Sequence, residues 1–250
     1  MVDNRNYNIW STRNITKAYT KENFYMEEIS LTIKNINKSY NEKVVFKDFE
    51  ITLYKNKVNC ILGKSGCGKS TLLNILSKII KNDTELYSEI EDMQISYIFQ
   101  EDRLIDWITI EDNINLVLKN NYKKSDRENI CKKYLKEVGI YEYKEYYPQM
   151  LSGGTRQRAN IARAFVYPSQ IIIMDEPFKS IDISSKKQIM NIFKTIIQKE
   201  KRTVIFVTHD IEEAIYLSDN INILGETPTV SKLFFNDKSK FNKELIENSI

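Results

Sequence analysis

Four short stretches of this chain carry residue types spaced for phosphate chemistry. "GKSGCGKST" (63–71) fits G-x-x-x-x-G-K-[ST] and stands between an apolar run, "VNCIL", and a helical pattern, "STLLNILSKII". In that setting Gly63, Lys64, Ser65, Gly66, Cys67, Gly68, Lys69, Ser70 and Thr71 form a phosphate cradle. Backbone N–H groups wrap a β-phosphate, Lys69 offers a cation to the β/γ oxygens, and Ser70 places a hydroxyl on Mg2+. Cys67 stands inside the loop, so alkylating its thiol is expected to block nucleotide binding. "IIIMDEP" (171–177) is an apolar strand ending in two adjacent carboxylates. Beside a phosphate loop, Asp175 reads as the group that holds Mg2+ through water, and Glu176 as the group that orients or deprotonates an attacking water.

His209, the single histidine, closes the run "TVIFVTH" at the C-terminal end of a core strand. That edge is where α/β sheets bind ligands, so a contact to a γ-phosphate is favoured over packing. Gln100 ends "QISYIF" at the same edge and reads as a neutral contact to Mg2+ and water. "LSGGTRQR" (151–158) is the fourth stretch. Two adjacent glycines forfeit helix stability, yet they bare backbone N–H groups at a helix start and so offer them to an anion.

These residues need a scaffold. The runs 58–62, 94–99, 170–175, 203–209 and 220–224 are β-branched and apolar, and helical patterns lie between them. That alternation predicts a mostly parallel sheet buried on both faces by helices. The front end differs, because "ISLTIKNI" and "VVFKDFEITLY" alternate in period two and predict an antiparallel β layer beside the core. Residues 101–150 break the β/α rhythm with two helical patterns, for which Thr109 and Ser125 are expected N-caps, and read as an inserted helical subdomain. The chain divides into an N-terminal extension (1–28), the α/β unit (29–229) and a short tail (230–250). Tyr19 and Tyr40 lie in a weak internal echo, "NITKAYTKENF" against "NINKSYNEKVVF", for which chance is the favoured reading in so Lys- and Asn-rich a chain.

At 250 residues, with 42% hydrophobic and 28% charged residues, the chain has the makeup of a folded globular protein. The net charge of +3 comes from lysines spread along the sequence, so no nucleic-acid footprint stands out. Three cysteines without metal-type spacing point to a reducing compartment. No run reaches membrane-spanning length, and residues 1–28 lack a signal-peptide core.

With the phosphate loop, Gln100, "LSGGTRQR", "IIIMDEP", Asp182 and His209 in that order, residues from about 29 to 224 resemble the nucleotide-binding subunit of an ABC (ATP-binding cassette) transporter. The resemblance implies a P-loop NTPase core, ATP and Mg2+ as ligands, and ATP hydrolysis coupled to transport. It makes Tyr40 the aromatic that stacks on adenine and Tyr19 a decoy too far upstream. It also makes Ser152, Gly153 and Gly154 the cap on the γ-phosphate of ATP held by a second copy, so that two copies close head to tail, with Asp182 across their interface. Finer similarity, in "FQEDRLIDWITIEDNI" and "HDIEEAIYLSDNINIL", is to the importer ATPases of the nitrate, sulfonate and taurine group. That implies a site on the cytoplasmic face of the membrane, permease subunits as direct partners and a solute-binding protein as an indirect one. Leu104 and Trp107 are candidates to line the groove for a permease helix, although Trp107 reads equally as a core aromatic of the insert. An exporter cassette, or a soluble ABC ATPase outside transport, is the alternative. The chain departs from the family pattern at Thr155, at "FKSID", where Lys179 lies close to the expected dimer interface, and in "KNDTELYSEIEDM", which replaces a Gly/Pro-rich hairpin.

Overall fold

The computed structural model describes residues 30–179, 181–226, 228, 231–235, 241 and 243–249. The extension 1–28, with Tyr19, lies outside the described residues.

Two sheets share the work. β1 (Ser30–Tyr40) and β2 (Lys43–Tyr54) pair antiparallel, and β4 (Tyr87–Ser88) adds a third strand on the other side of β1. The sequence showed the first two and not the third, since two residues carry no periodicity and β4 exists only through its pairing with β1. The second sheet has six strands in the order β5-β6-β7-β3-β8-β9. Here β3 is Val58–Leu62, β5 Ile95–Ile98, β6 Ile171–Asp175, β7 Thr203–Thr208, β8 Asn220–Leu224 and β9 Ser231–Phe235. Neighbouring strands run parallel except β9, which returns antiparallel on β8.

β6 explains why the parallel strands read as unbroken apolar runs. Ile171 and Ile173 enter one core, shared with α1 (Lys69–Leu76) and the antiparallel sheet. Ile172 and Met174 enter the opposite core, shared with the helices of the other face. All four are fully buried, each worth about 1.5–3 kcal/mol relative to exposure. The same alternation assigns Asp175 to the α1 side.

Residues 101–150, expected to be an inserted subdomain, contain α2 (Ile110–Leu118) and α3 (Lys124–Glu137). Thr109 caps α2 by accepting the Asp112 N–H at 3.1 Å. Ser125 is not a cap, contrary to expectation: α3 begins one residue before it, and Lys123 holds the N-cap position without a side-chain hydrogen bond. The remaining helices are α4 (Gly153–Val166), α5 (Ile183–Glu200), α6 (Ile211–Leu217) and α7 (Lys243–Glu247). No helix among the described residues is long and apolar enough to cross a membrane.

Candidate nucleotide site

The phosphate loop joins β3 to α1, and its geometry follows from its glycines. Gly66 has φ +81° and Gly68 φ +101°, backbone that side-chain-bearing residues adopt at a cost. A Cβ at Gly66 would meet nothing within 4 Å, because that glycine faces open space. Gly63 is different: a Cβ there would lie 2.8 Å from Cys67 Sγ and 3.1 Å from the Leu224 carbonyl oxygen. Cys67 therefore points back into the protein. It is buried, and burial pushes its thiol pKa up.

Above the loop lies a cavity of about 340 Å3, lined by Tyr40, Lys43, Val45, Ser65, Gly66, Gly68, Lys69, Ser70, Thr71, Gln100, Glu176 and Lys179. Residues nominated from four separate parts of the sequence thus share one space. Gly63, Lys64 and Cys67 do not line it. The carbonyl oxygens of Gly63 and Lys64 instead accept hydrogen bonds from Lys69 Nζ, both at 2.8 Å, which satisfy this buried cation. Tyr40 is half exposed at the end of β1, with Lys38 Nζ 5.5 Å from the centroid of its ring. Lys43 and Val45 were missed by sequence reasoning. They enter from the start of β2 because the hairpin turn after Tyr40 folds them over the cavity, a tertiary effect with no local motif.

The ends of β6 and β7 supply the remaining groups. Ser70 Oγ donates to Asp175 Oδ1 at 3.1 Å, as the strand alternation requires. Burial pushes the Asp175 pKa up; the Ser70 hydrogen bond only partly offsets this, and the neighbouring Glu176 charge adds to it. A buried carboxylate, a hydroxyl and the amide of Gln100 form an oxygen donor set that fits Mg2+, which takes few protein ligands and keeps phosphate oxygens and waters.

Glu176 has φ +43°, the left-handed region, which is costly for glutamate and of the kind found at functional sites. Its N–H donates to the Val207 carbonyl at 3.1 Å, fixing the turn onto β7. Its Oε1 lies 3.2 Å from His209 Nδ1 and its Oε2 lies 2.8 Å from Lys179 Nζ. Burial pushes the Glu176 pKa up, but Lys179 and His209 outweigh it and hold the carboxyl below its usual range.

His209 itself is held from behind. Asp210 caps α6 through the N–H groups of Glu212 and Glu213, and Thr208 Oγ1 donates to Glu213 Oε2 at 2.6 Å. Lys186 of α5 reaches both Asp210 (2.6 Å) and Glu213 (2.5 Å). Lys186 lies one helical turn after Asp182, the N-cap of the same helix, whose carboxylate accepts from the Ser185 N–H and the Ser184 hydroxyl. Those bonds bring its pKa down to about 2.

Ser152, Gly153, Gly154 and Asp182 do not line the cavity. Ser152 caps α4 by accepting the Thr155 N–H, and Thr155, one of the departures from the family pattern, also bonds the Ser152 hydroxyl at 2.9 Å. Ser152 and Gly153 are exposed, and a Cβ at Gly153 would meet nothing within 4 Å. Gly154 is buried, and a Cβ there would come within 3.1 Å of Ser185 Cβ. Along α4, Gln157 donates to the Pro177 carbonyl (2.6 Å), Arg156 pairs with Asp102 (2.9 Å), and Arg163 donates to the carbonyls of Asp102 and Arg103. Leu104 is buried in the core and Trp107 is 79% exposed, which removes the core reading of Trp107 and leaves Leu104 without groove surface.

A family model described as ABC transporter matches residues 46–179, more than half of the chain. This chain belongs to the ABC transporter family. Among relatives of the cassette, an uncharacterized ABC transporter ATP-binding protein of Methanocaldococcus jannaschii is 34% identical over 80% of this chain and 79% of its own length. The aliphatic sulfonates import ATP-binding protein SsuB of Bacillus cereus is 35% identical over 80% of this chain and 83% of its own length. The solved dimer of the ATP-binding cassette MJ0796 in a post-hydrolysis state, bound to ADP and Pi, has 27% identity and a TM-score of 0.71, covering 82% of this chain and 97% of that one. The cassette is therefore a P-loop ABC ATPase.

Proposed function

We propose that the cassette is the ATP-hydrolysing subunit of an importer for a small anion or organic solute of the nitrate, sulfonate or taurine kind. It works as a head-to-tail pair on the cytoplasmic face of a membrane permease fed by a solute-binding protein. The observation that carries this reading is the separation of its two anion-binding elements. The cavity holds the phosphate loop, while Ser152 and Gly153 stand exposed elsewhere with open space before them. A second copy brings its own Ser152–Gly154 to the first copy's cavity; that the similar solved cassette is a dimer supports pairing. The SsuB relatives support the solute class.

The chain's own residues divide the work. Tyr40 stacks on the base, and Lys69 shifts from the loop carbonyls to the phosphates. Ser70, Asp175 and Gln100 would hold Mg2+, which when bound neutralises charge on the phosphate oxygens. Glu176 accepts the proton of the attacking water and His209 contacts the γ-phosphate. Asp182 meets the partner across the interface. Exposed Trp107 is the contact for a permease helix.

The test is light scattering of Glu176→Gln with and without ATP. Dimers that form with ATP and disappear in Glu176→Gln/Gly153→Asp support the composite site; an ATP-loaded monomer at high protein concentration refutes it.

A further inference from the structure

Glu176 directly follows β6, and each of its carboxylate oxygens faces a nitrogen. Oε1 is 3.2 Å from His209 Nδ1 and Oε2 is 2.8 Å from Lys179 Nζ. The lysine belongs to the same turn as the glutamate, because the Lys179 N–H donates to the Glu176 carbonyl at 3.1 Å. Phe178, between Pro177 and Lys179, is buried in the core and anchors that turn. The Glu176 side chain is well covered, with 13% of its surface exposed against 44% for Lys179. Water can take over solvation of the ammonium more readily than of the carboxylate, so swinging Glu176 away from Lys179 is opposed chiefly on the glutamate side.

Two of the lysines that line the cavity, Lys69 and Lys179, are held differently. Lys69 Nζ rests on two neutral carbonyl oxygens, from which a phosphate can draw it. Lys179 Nζ rests on a full negative charge, that of the residue assigned to accept the water's proton. A general base must present a free oxygen within hydrogen-bond reach of the water it deprotonates.

We infer that Lys179 is a positioning residue for hydrolysis, pairing with Glu176 so as to keep the carboxylate turned away from the attacking water and the basal turnover low. The inference rests on the assignment of Glu176 as the base. Before each turnover the Lys179–Glu176 contact opens, one carboxylate oxygen takes the water, and the contact re-forms after the phosphate leaves. Lys179 acts on the rate through Glu176 and not through the phosphates.

Steady-state ATPase assays on the full chain at saturating MgATP test this. Lys179→Met keeps the aliphatic stem and removes the charge. Its kcat is expected to rise about five-fold, the size of a partly exposed ion pair, with KM for ATP unchanged. Lys179→Arg keeps the charge and should stay at the wild-type rate, and Lys179→Met/Glu176→Gln should be as inactive as Glu176→Gln. Lys179→Ser repeats the test if the Met variant is poorly folded by thermal melting. An unchanged or lower kcat in both neutral variants, or a raised KM marking Lys179 as a phosphate ligand, overturns the inference while inactive Glu176→Gln leaves the base assignment standing. Full activity in Glu176→Gln overturns both.

Discussion

The phosphate loop and the start of α4 both read from sequence as backbone N–H groups offered to an anion, but they differ in how much of the surroundings comes with them. At the phosphate loop a buried lysine, a left-handed glycine and the ends of three strands converge on one cavity within the chain. At α4 a capped helix start faces solvent, with Gly153 meeting nothing of its own chain. The difference teaches that a motif's chemistry is not the same as its site. The loop's requirements are met by this fold, whereas the requirement for a glycine at 153 has no cause within it. Gly154, one residue on, is explained internally by its approach to Ser185.

The contrast breaks most visibly in turnover. Gly153→Asp sets a negative charge where a partner's phosphate would approach, and should lower kcat by a hundred-fold or more, roughly the loss of an oxyanion-type donor. Its ATP affinity, measured by calorimetry on dilute monomer, should not move. Lys69→Ala should do the converse, weakening monomer ATP binding by about ten- to hundred-fold, the worth of a charge-assisted hydrogen bond. Equal affinity losses in the two variants would erase the distinction between the regions.

A smaller effect separates the two glycines. Gly154→Ala forces Ser185 to give way and should cost about 1–2 kcal/mol in denaturant unfolding. Gly153→Ala adds a methyl in open space and should be neutral or stabilise by up to about 1 kcal/mol.

The smallest effect belongs to the ions behind His209. Burial pushes the Asp210 pKa up, but Lys186 and the α6 N–H groups outweigh it, so its folded pKa lies below the ordinary carboxylate value. The stability this contributes is present above about pH 4 and lost as pH falls through the folded pKa. Lys186→Met should therefore be less stable than wild type by about 1 kcal/mol near pH 7, after allowance for solvent screening, with the gap closing in acid. A gap that stays constant down to pH 3 would assign the loss to packing and not to charge.

Much of the catalytic half was legible because strand-end motifs are local: a P-loop requires its strand and helix, and "IIIMDEP" carries both its burial and its carboxylates in one run. The antiparallel pair was legible from period two. What escaped depends on tertiary placement. Lys43 and Val45 reach the cavity only through a hairpin, and β4 exists only by pairing with β1. Cys67 was read as part of the phosphate cradle, yet its side chain lies against Gly63 and does not line the cavity. The Lys179–Glu176 pair depends on a left-handed glutamate, which no pattern of residue types reveals.

The seam between Gly154 and Ser185 has a thermodynamic consequence. Ser152 begins α4 and Asp182 begins α5, and the close contact of the two helix starts, each held by its own cap, makes them one surface. The conformational entropy of arranging that surface is lost when the chain folds, before any second copy arrives. In the head-to-tail pair proposed above, closure would then be left with mainly the translational and rotational terms of bringing two copies together. Such an association would depend steeply on its ligand, so that two bound nucleotides would act as a switch and not as a gradual adhesive.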